Sequence, residues 1–183
     1  MRPHTTPSMH RCRHSRQQRG VYALEWAIIF PVFFALLYGI VCYGLTFLVR
    51  QSMQYAVEEG ARAALRYPSS TIIGSNPPTW AFRSLQARRT TANALNWLPA
   101  ELRPAESDIN FTLCHLSDTA CNQDTALNPA LDCNIETPCL VLVSYRIANY
   151  RQGAIAPAIP GFGLLLPASL QAQASLLVDR RML

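Results

Sequence analysis

Arg19-Gly20-Val21-Tyr22-Ala23-Leu24-Glu25-Trp26 opens the stretch that decides the fold, and from Trp26 through Val49 no residue carries a charge. A basic leader ends at a glycine. An apolar segment follows, with one carboxylate five residues past that glycine. The uncharged run is twenty-four residues long, and a helix needs about 20 to cross a bilayer. A secretory signal has an apolar core of only about 7–15 residues, closed by a small-residue cleavage site. This run closes instead on Thr46-Phe47-Leu48-Val49-Arg50. The segment is therefore expected to span the membrane over about residues 24–49 and to stay attached. Pro31 lies inside it, removes one backbone hydrogen bond and predicts a kink. Membrane helices tolerate such a loss when neighbours compensate.

The charge map gives the topology. The chain has sixteen Arg, no Lys and eleven acids. Arg2, Arg11, Arg13, Arg16 and Arg19 lie in the first twenty residues, which hold no acid. The remaining eleven Arg balance the eleven acids, so the net charge of +5 belongs to the leader. The basic balance is then no evidence for a nucleic-acid surface. Arg-rich flanks stay in the cytoplasm, which puts the N-terminus inside and everything after Arg50 outside. His4, His10 and His14 also fall in the leader, where a solvated tail is preferred to a metal site.

Glu25 is the unusual residue. A carboxylate in a membrane segment costs about 2.5–3.5 kcal/mol at the centre and less near an end. One reading has it reach the interface among the leader arginines. The other has the leader removed. Cleavage after Gly20 creates an ammonium at Val21, and Glu25 of one subunit then pairs with the Val21 amine of a neighbour. The second is preferred, because glycine, basic leader and carboxylate occur together.

These residues carry a family resemblance. Arg-Gly-Val-Tyr-Ala-Leu-Glu-Trp-Ala-Ile-Ile-Phe-Pro, residues 19–31, resembles the N-terminal segment of TadE-like proteins, pseudopilins of the tight-adherence (Flp-type) pilus machinery. Glu25 and Pro31 have the family spacing, and Gly39 and Gly44 fall where the family often has glycines. Glu59-Gly60-Ala61-Arg62-Ala63-Ala64 is similar to its Glu-Gly-Ala-Arg stretch. The resemblance covers residues 19–66, about a quarter of the chain. Position 26 is Trp where TadE and TadF proteins commonly have Tyr and many TadE-like domains Phe. The resemblance implies cutting between Gly20 and Val21 by a prepilin peptidase, with Glu25 and Trp26 serving recognition and assembly.

Past the membrane the helix is expected to continue. Val49, Met53, Ala56, Val57, Gly60, Ala64 and Tyr67 share one face. Arg50, Gln54, Glu58 and Arg62 share another, with Glu58–Arg62 a favourable i,i+4 pair. Pro68 and Ser69-Ser70-Thr71 stop it. From Val21 to Tyr67 such a helix is about 70 Å long at about 1.5 Å per residue; two helices hinged near Arg50 are the alternative. Gly60 weakens the helix by up to about 1 kcal/mol, and a close backbone contact would explain it. After a loop at 68–79, a second helix is expected from Trp80 to Leu98. Its Arg83, Arg88 and Arg89 are read as a solvated face in preference to an anion-binding one.

The remainder alternates with period two. Ile109, Phe111 and Leu113 form one set, Val141, Val143, Tyr145 and Ile147 a second, and Leu170, Ala172, Ala174, Leu176 and Val178 a third. Half-buried antiparallel strands follow, and the Ala-rich third set is placed as strand in preference to helix. The apolar Gly153–Pro167 stretch is too broken to be a second membrane helix. It is placed as a turn on its own sheet in preference to a loop on the bilayer or a neighbour. The expected fold class is α+β. Residues 1–20 are a basic leader, 21–67 a long transmembrane-plus-amphipathic helix, and 68–183 a small pilin-like periplasmic domain with a three-stranded antiparallel sheet.

Cys114, Cys121, Cys133 and Cys139 fall in the exported part, where four cysteines imply two disulfides and three possible connectivities. Cys114–Cys121 with Cys133–Cys139 is preferred to the nested pairing. Such staples contribute about 2–4 kcal/mol to a long polar connection that has little to bury. Zinc is a weak rival, since His115 lies nearby but no Cys-x-x-Cys pair exists. Asp118, Asp124 and Asp132 lack calcium-loop spacing. No nucleophile elbow or phosphate loop is present, so no enzyme activity and no cofactor are expected.

The leading reading is a minor pseudopilin for a tight-adherence type IV pilus. Its expected partners are the inner membrane, a prepilin peptidase, other pilins or pseudopilins and assembly-platform proteins, with no nucleic acid. The alternative is an uncleaved, single-pass, membrane-anchored periplasmic scaffold or binding module.

Overall fold

The computed structural model describes residues 18–66, 79–118, 121–122, 128, 131, 133–134, 136–153, 155 and 166–178. The leader before Gln18, Tyr67, the loop at 67–78, most of Gly153–Pro167 and much of the 115–138 connection lie outside the described residues. Two compact units divide the chain, Met1–Ile40 and Val41–Leu183.

Helix α1 runs Gln18–Leu65 and carries Pro31 without interruption. It begins ahead of the expected Val21, so Gly20 stands in its first turn. In the second unit α1 presents the buried stripe Val49, Met53, Ala56, Val57, Ala61 and Ala64, while Arg50, Glu58 and Arg62 are exposed. The 3.6-residue period of apolar side chains forces this division. The Glu58–Arg62 pair does not form. Glu58 accepts a hydrogen bond from Gln54 Nε2 at 3.0 Å. Arg62 lies 3.9 Å from Glu59, which also pairs with Arg66 at 2.9 Å. Exposed pairs of this kind contribute about 0–1 kcal/mol, so the exchange of partners is nearly free.

Helix α2 spans Trp80–Ala94, a turn shorter than expected. Thr79 starts it by accepting the Phe82 N–H at 3.4 Å, the usual work of a threonine N-cap. Leu95 ends it, its N–H bonding back to Ala92 O at 3.1 Å. Arg83 corrects the solvated-face reading. It is only 2% exposed, its Nη1 donates to Ala64 O at 2.8 Å, and its guanidinium lies 5.6 Å from the Trp80 ring centroid. The last carbonyls of a helix lack partners within it, and a cation there opposes the macrodipole favourably. Arg83 therefore closes the C-terminal end of α1 from a different helix. Gly60 of α1 lies close against α2. A Cβ at Gly60 would collide with Thr91 Oγ1 and stand 3.0 Å from Ala87 O.

Strands β1 (Ile109–His115), β2 (Cys139–Ile147) and β3 (Leu170–Val178) form one antiparallel sheet in that order. Phe111 pairs with Val143, and Val143 with Ala174. One core cluster gathers the α1 stripe, Trp80 and Ala87 of α2, and Ile109, Phe111, Val141, Val143 and Ala174 of the sheet. The half-buried expectation holds for β3, whose residues alternate. It does not hold for β1 and β2, where Thr112 is 1% and Ser144 3% exposed. Both faces of those two strands are covered at the centre. A short helix α3, Tyr150–Gly153, follows β2.

The Cys114–Cys121 and Cys133–Cys139 disulfides are formed, with Cα atoms 5.9 and 5.3 Å apart, within the range a disulfide bridges. Both act at the end of the β1–β2 ladder where His115 pairs with Cys139.

Tyr145 ties the sheet to the segment after α2, its hydroxyl donating to Leu102 O at 3.0 Å. Burial, with the nearby Asp108 carboxylate adding, pushes its pKa up to about 12. The folded pKa lies above the unfolded value of about 10. The stabilisation is therefore complete below pH 10 and is lost as pH rises from about 10 to 12. We expect wild-type stability to fall by about 2–3 kcal/mol over that window. Tyr145→Phe should be less stable at neutral pH and should lose less on titration, as read by denaturant melts at each pH.

Candidate functional site

Between Gly20 and Ile40, α1 is clothed mainly in apolar side chains that touch little else. Val21 is 68% exposed, Trp26 66% and Ile40 73%. Left in water, exposed apolar surface costs about 25 cal/mol per Å² relative to burial, and a bilayer removes that cost. Among the described residues, α1 is the one helix long and apolar enough to cross a membrane. It lies near the N-terminus and suits the chain to single-pass anchoring. The helical backbone satisfies its own polar groups in lipid. Thr46 does the same for its hydroxyl, which donates to Cys42 O at 2.9 Å. Phe30 and Phe34 stack across Pro31 with ring centroids 6.3 Å apart.

Gly20, Val21, Glu25 and Trp26 occupy consecutive turns at the start of this helix. Val21 and Glu25 are four apart and so share a face. Glu25 is exposed, and among the described residues no hydrogen bond or ion pair reaches it. Gly20, Gly39 and Gly44 have open space where a Cβ would stand. None of the three is required by a contact among the described residues.

The cysteines are a separate feature, set in the second unit. His115 Nδ1 lies 3.8 Å from Cys139 Sγ. That sulfur is bonded to Cys133, and metal binding and nucleophilic attack both need a free thiolate. The disulfides therefore fasten the 115–138 connection to the sheet.

Two features had no signal in the sequence. Tyr150 is fully buried, and its hydroxyl donates to Thr46 Oγ1 at 3.4 Å. Gln54 Nε2 donates to Gln173 O on β3 at 3.1 Å. Both join residues more than a hundred positions apart, where no local period can register them.

Residues 20–62 match the family model described as TadE-like protein. No curated protein and no solved structure matches the chain.

Proposed function

We propose that this chain, TadE-like over residues 20–62, is a minor pseudopilin for assembly of a tight-adherence type IV pilus. It is made as a precursor in the inner membrane. The arginine leader stays in the cytoplasm and the disulfide-stapled domain faces the periplasm. A prepilin peptidase cuts between Gly20 and Val21, and the mature helix packs among other pilins or pseudopilins at the assembly platform.

The TadE-like match supports the coarser statement, a pilus-associated membrane protein. Glu25 carries the finer one. It sits on a lipid-facing helix with no partner among the described residues of its own chain. A carboxylate in that position is stabilised by a counter-charge, and the ammonium released at Val21 supplies one on a neighbouring subunit. Cutting first needs the opening turn of α1 to unwind around Gly20. Terminal helical turns are held by few bonds, and glycine adopts extended backbone at no steric cost.

Mass spectrometry of the mature N-terminus tests this reading. Wild type is expected to start at Val21, and Gly20→Asp to keep Met1. A wild-type chain that keeps Met1 in cells containing the peptidase leaves the uncleaved periplasmic scaffold as the surviving account.

A further inference from the structure

Arg50 ends the uncharged run, so its guanidinium stands at the depth where headgroups begin. The second unit reaches that depth too. Tyr150 contacts Thr46, and Cys42 and Val49 are buried on the same stretch of α1. Beside these residues lies a groove of about 560 Å³ lined by Phe47, Arg50, Gln51, Gln54, Gln171 and Gln173.

Among the described residues, the groove is lined by one full positive charge and no carboxylate. Arg50 is exposed, and among the described residues it has no ion pair. The side-chain amides of Gln51 and Gln173 have no hydrogen bond there either. Gln54 is committed, donating to both Glu58 and Gln173 O. The guanidinium and two carboxamides therefore stand around one groove. A guanidinium fork fits two oxygens of a phosphate, and neutral amides suit the remaining oxygens. Phe47, 51% exposed, gives the membrane side of the groove an apolar wall.

We propose that this groove binds the phosphodiester headgroup of a membrane phospholipid, with Arg50 holding the charged oxygens. The inference needs the membrane helix only. It does not depend on cleavage or on pilus assembly.

Native mass spectrometry of the full chain in detergent with phosphatidylglycerol tests it. Wild type is expected to retain one lipid through delipidation. Arg50→Gln should bind at least tenfold more weakly. Arg89→Gln removes the same charge from an exposed α2 position outside the groove and should bind like wild type. Millimolar inorganic phosphate should leave the lipid in place. Three results would overturn the proposal: equal retention by Arg50→Gln, equal loss from Arg89→Gln, or displacement of the lipid by free phosphate.

Discussion

Glu25→Ala is expected to be cut normally after Gly20 and then to fail in assembly. Substitution leaves the glycine and the basic leader intact, so the mature N-terminus should still be Val21. What disappears is the counter-charge for the new ammonium. An ionised group left unpaired in the membrane costs about 2.5–3.5 kcal/mol at the centre. Near an end, about 2 kcal/mol corresponds to a roughly thirtyfold loss in association. Sheared-pilus yield should fall by at least tenfold while the mature mass stays correct for the variant. Glu25→Gln should fail equally, because it keeps the size and the hydrogen-bonding groups but not the charge. Normal piliation in either variant would remove the charge-pairing idea and leave processing untouched.

Gly60→Val is expected to destabilise the second unit markedly. Any side chain there meets Thr91 Oγ1 and the backbone oxygen of Ala87. Thr91 cannot swing away freely, since it is fully buried and its hydroxyl donates to Ala87 O at 3.0 Å. Forcing extra atoms into a packed contact costs about 1–3 kcal/mol, more when backbone must shift. At about 2–4 °C per kcal/mol for a unit of this size, a cost of about 3 kcal/mol, the upper end of that range, lowers the melting point by roughly 6–12 °C. Gly60→Ala gains up to about 1 kcal/mol of helix propensity against a smaller clash. In a Thr91→Ala background the main obstacle is gone, and Gly60→Ala should become neutral or stabilising. Thermal melts of the four combinations measure the coupling. Additive effects would show that the α1–α2 approach is not what requires glycine at 60.

Much of this fold is legible in short-range pattern. The α1 stripe from Val49 to Ala64 follows a helical period, and the burial of Met53 and Val57 obeys it. The three strands fall on the three alternating segments. The failures have two causes, distant contacts and local bonding at a helix end. Arg83 resembles any surface arginine until Ala64 O is brought beside it. Thr112 and Ser144 are polar residues on the side expected to be wet, yet both are buried. The α2 end came earlier than Leu98 because a turn at Leu95 is set by local bonding that apolar spacing does not record.

The residues in order determined the long apolar helix and which faces are apolar. Those follow from charge count and from periods of two and 3.6, and both act over a few positions. Tertiary structure alone decided that Arg83 closes α1, that Gly60 admits α2, and that Arg50 shares a groove with Gln171 and Gln173. Each of these joins residues far apart in the chain. Their meeting depends on how helices and sheet enclose one core, a condition no single segment carries by itself.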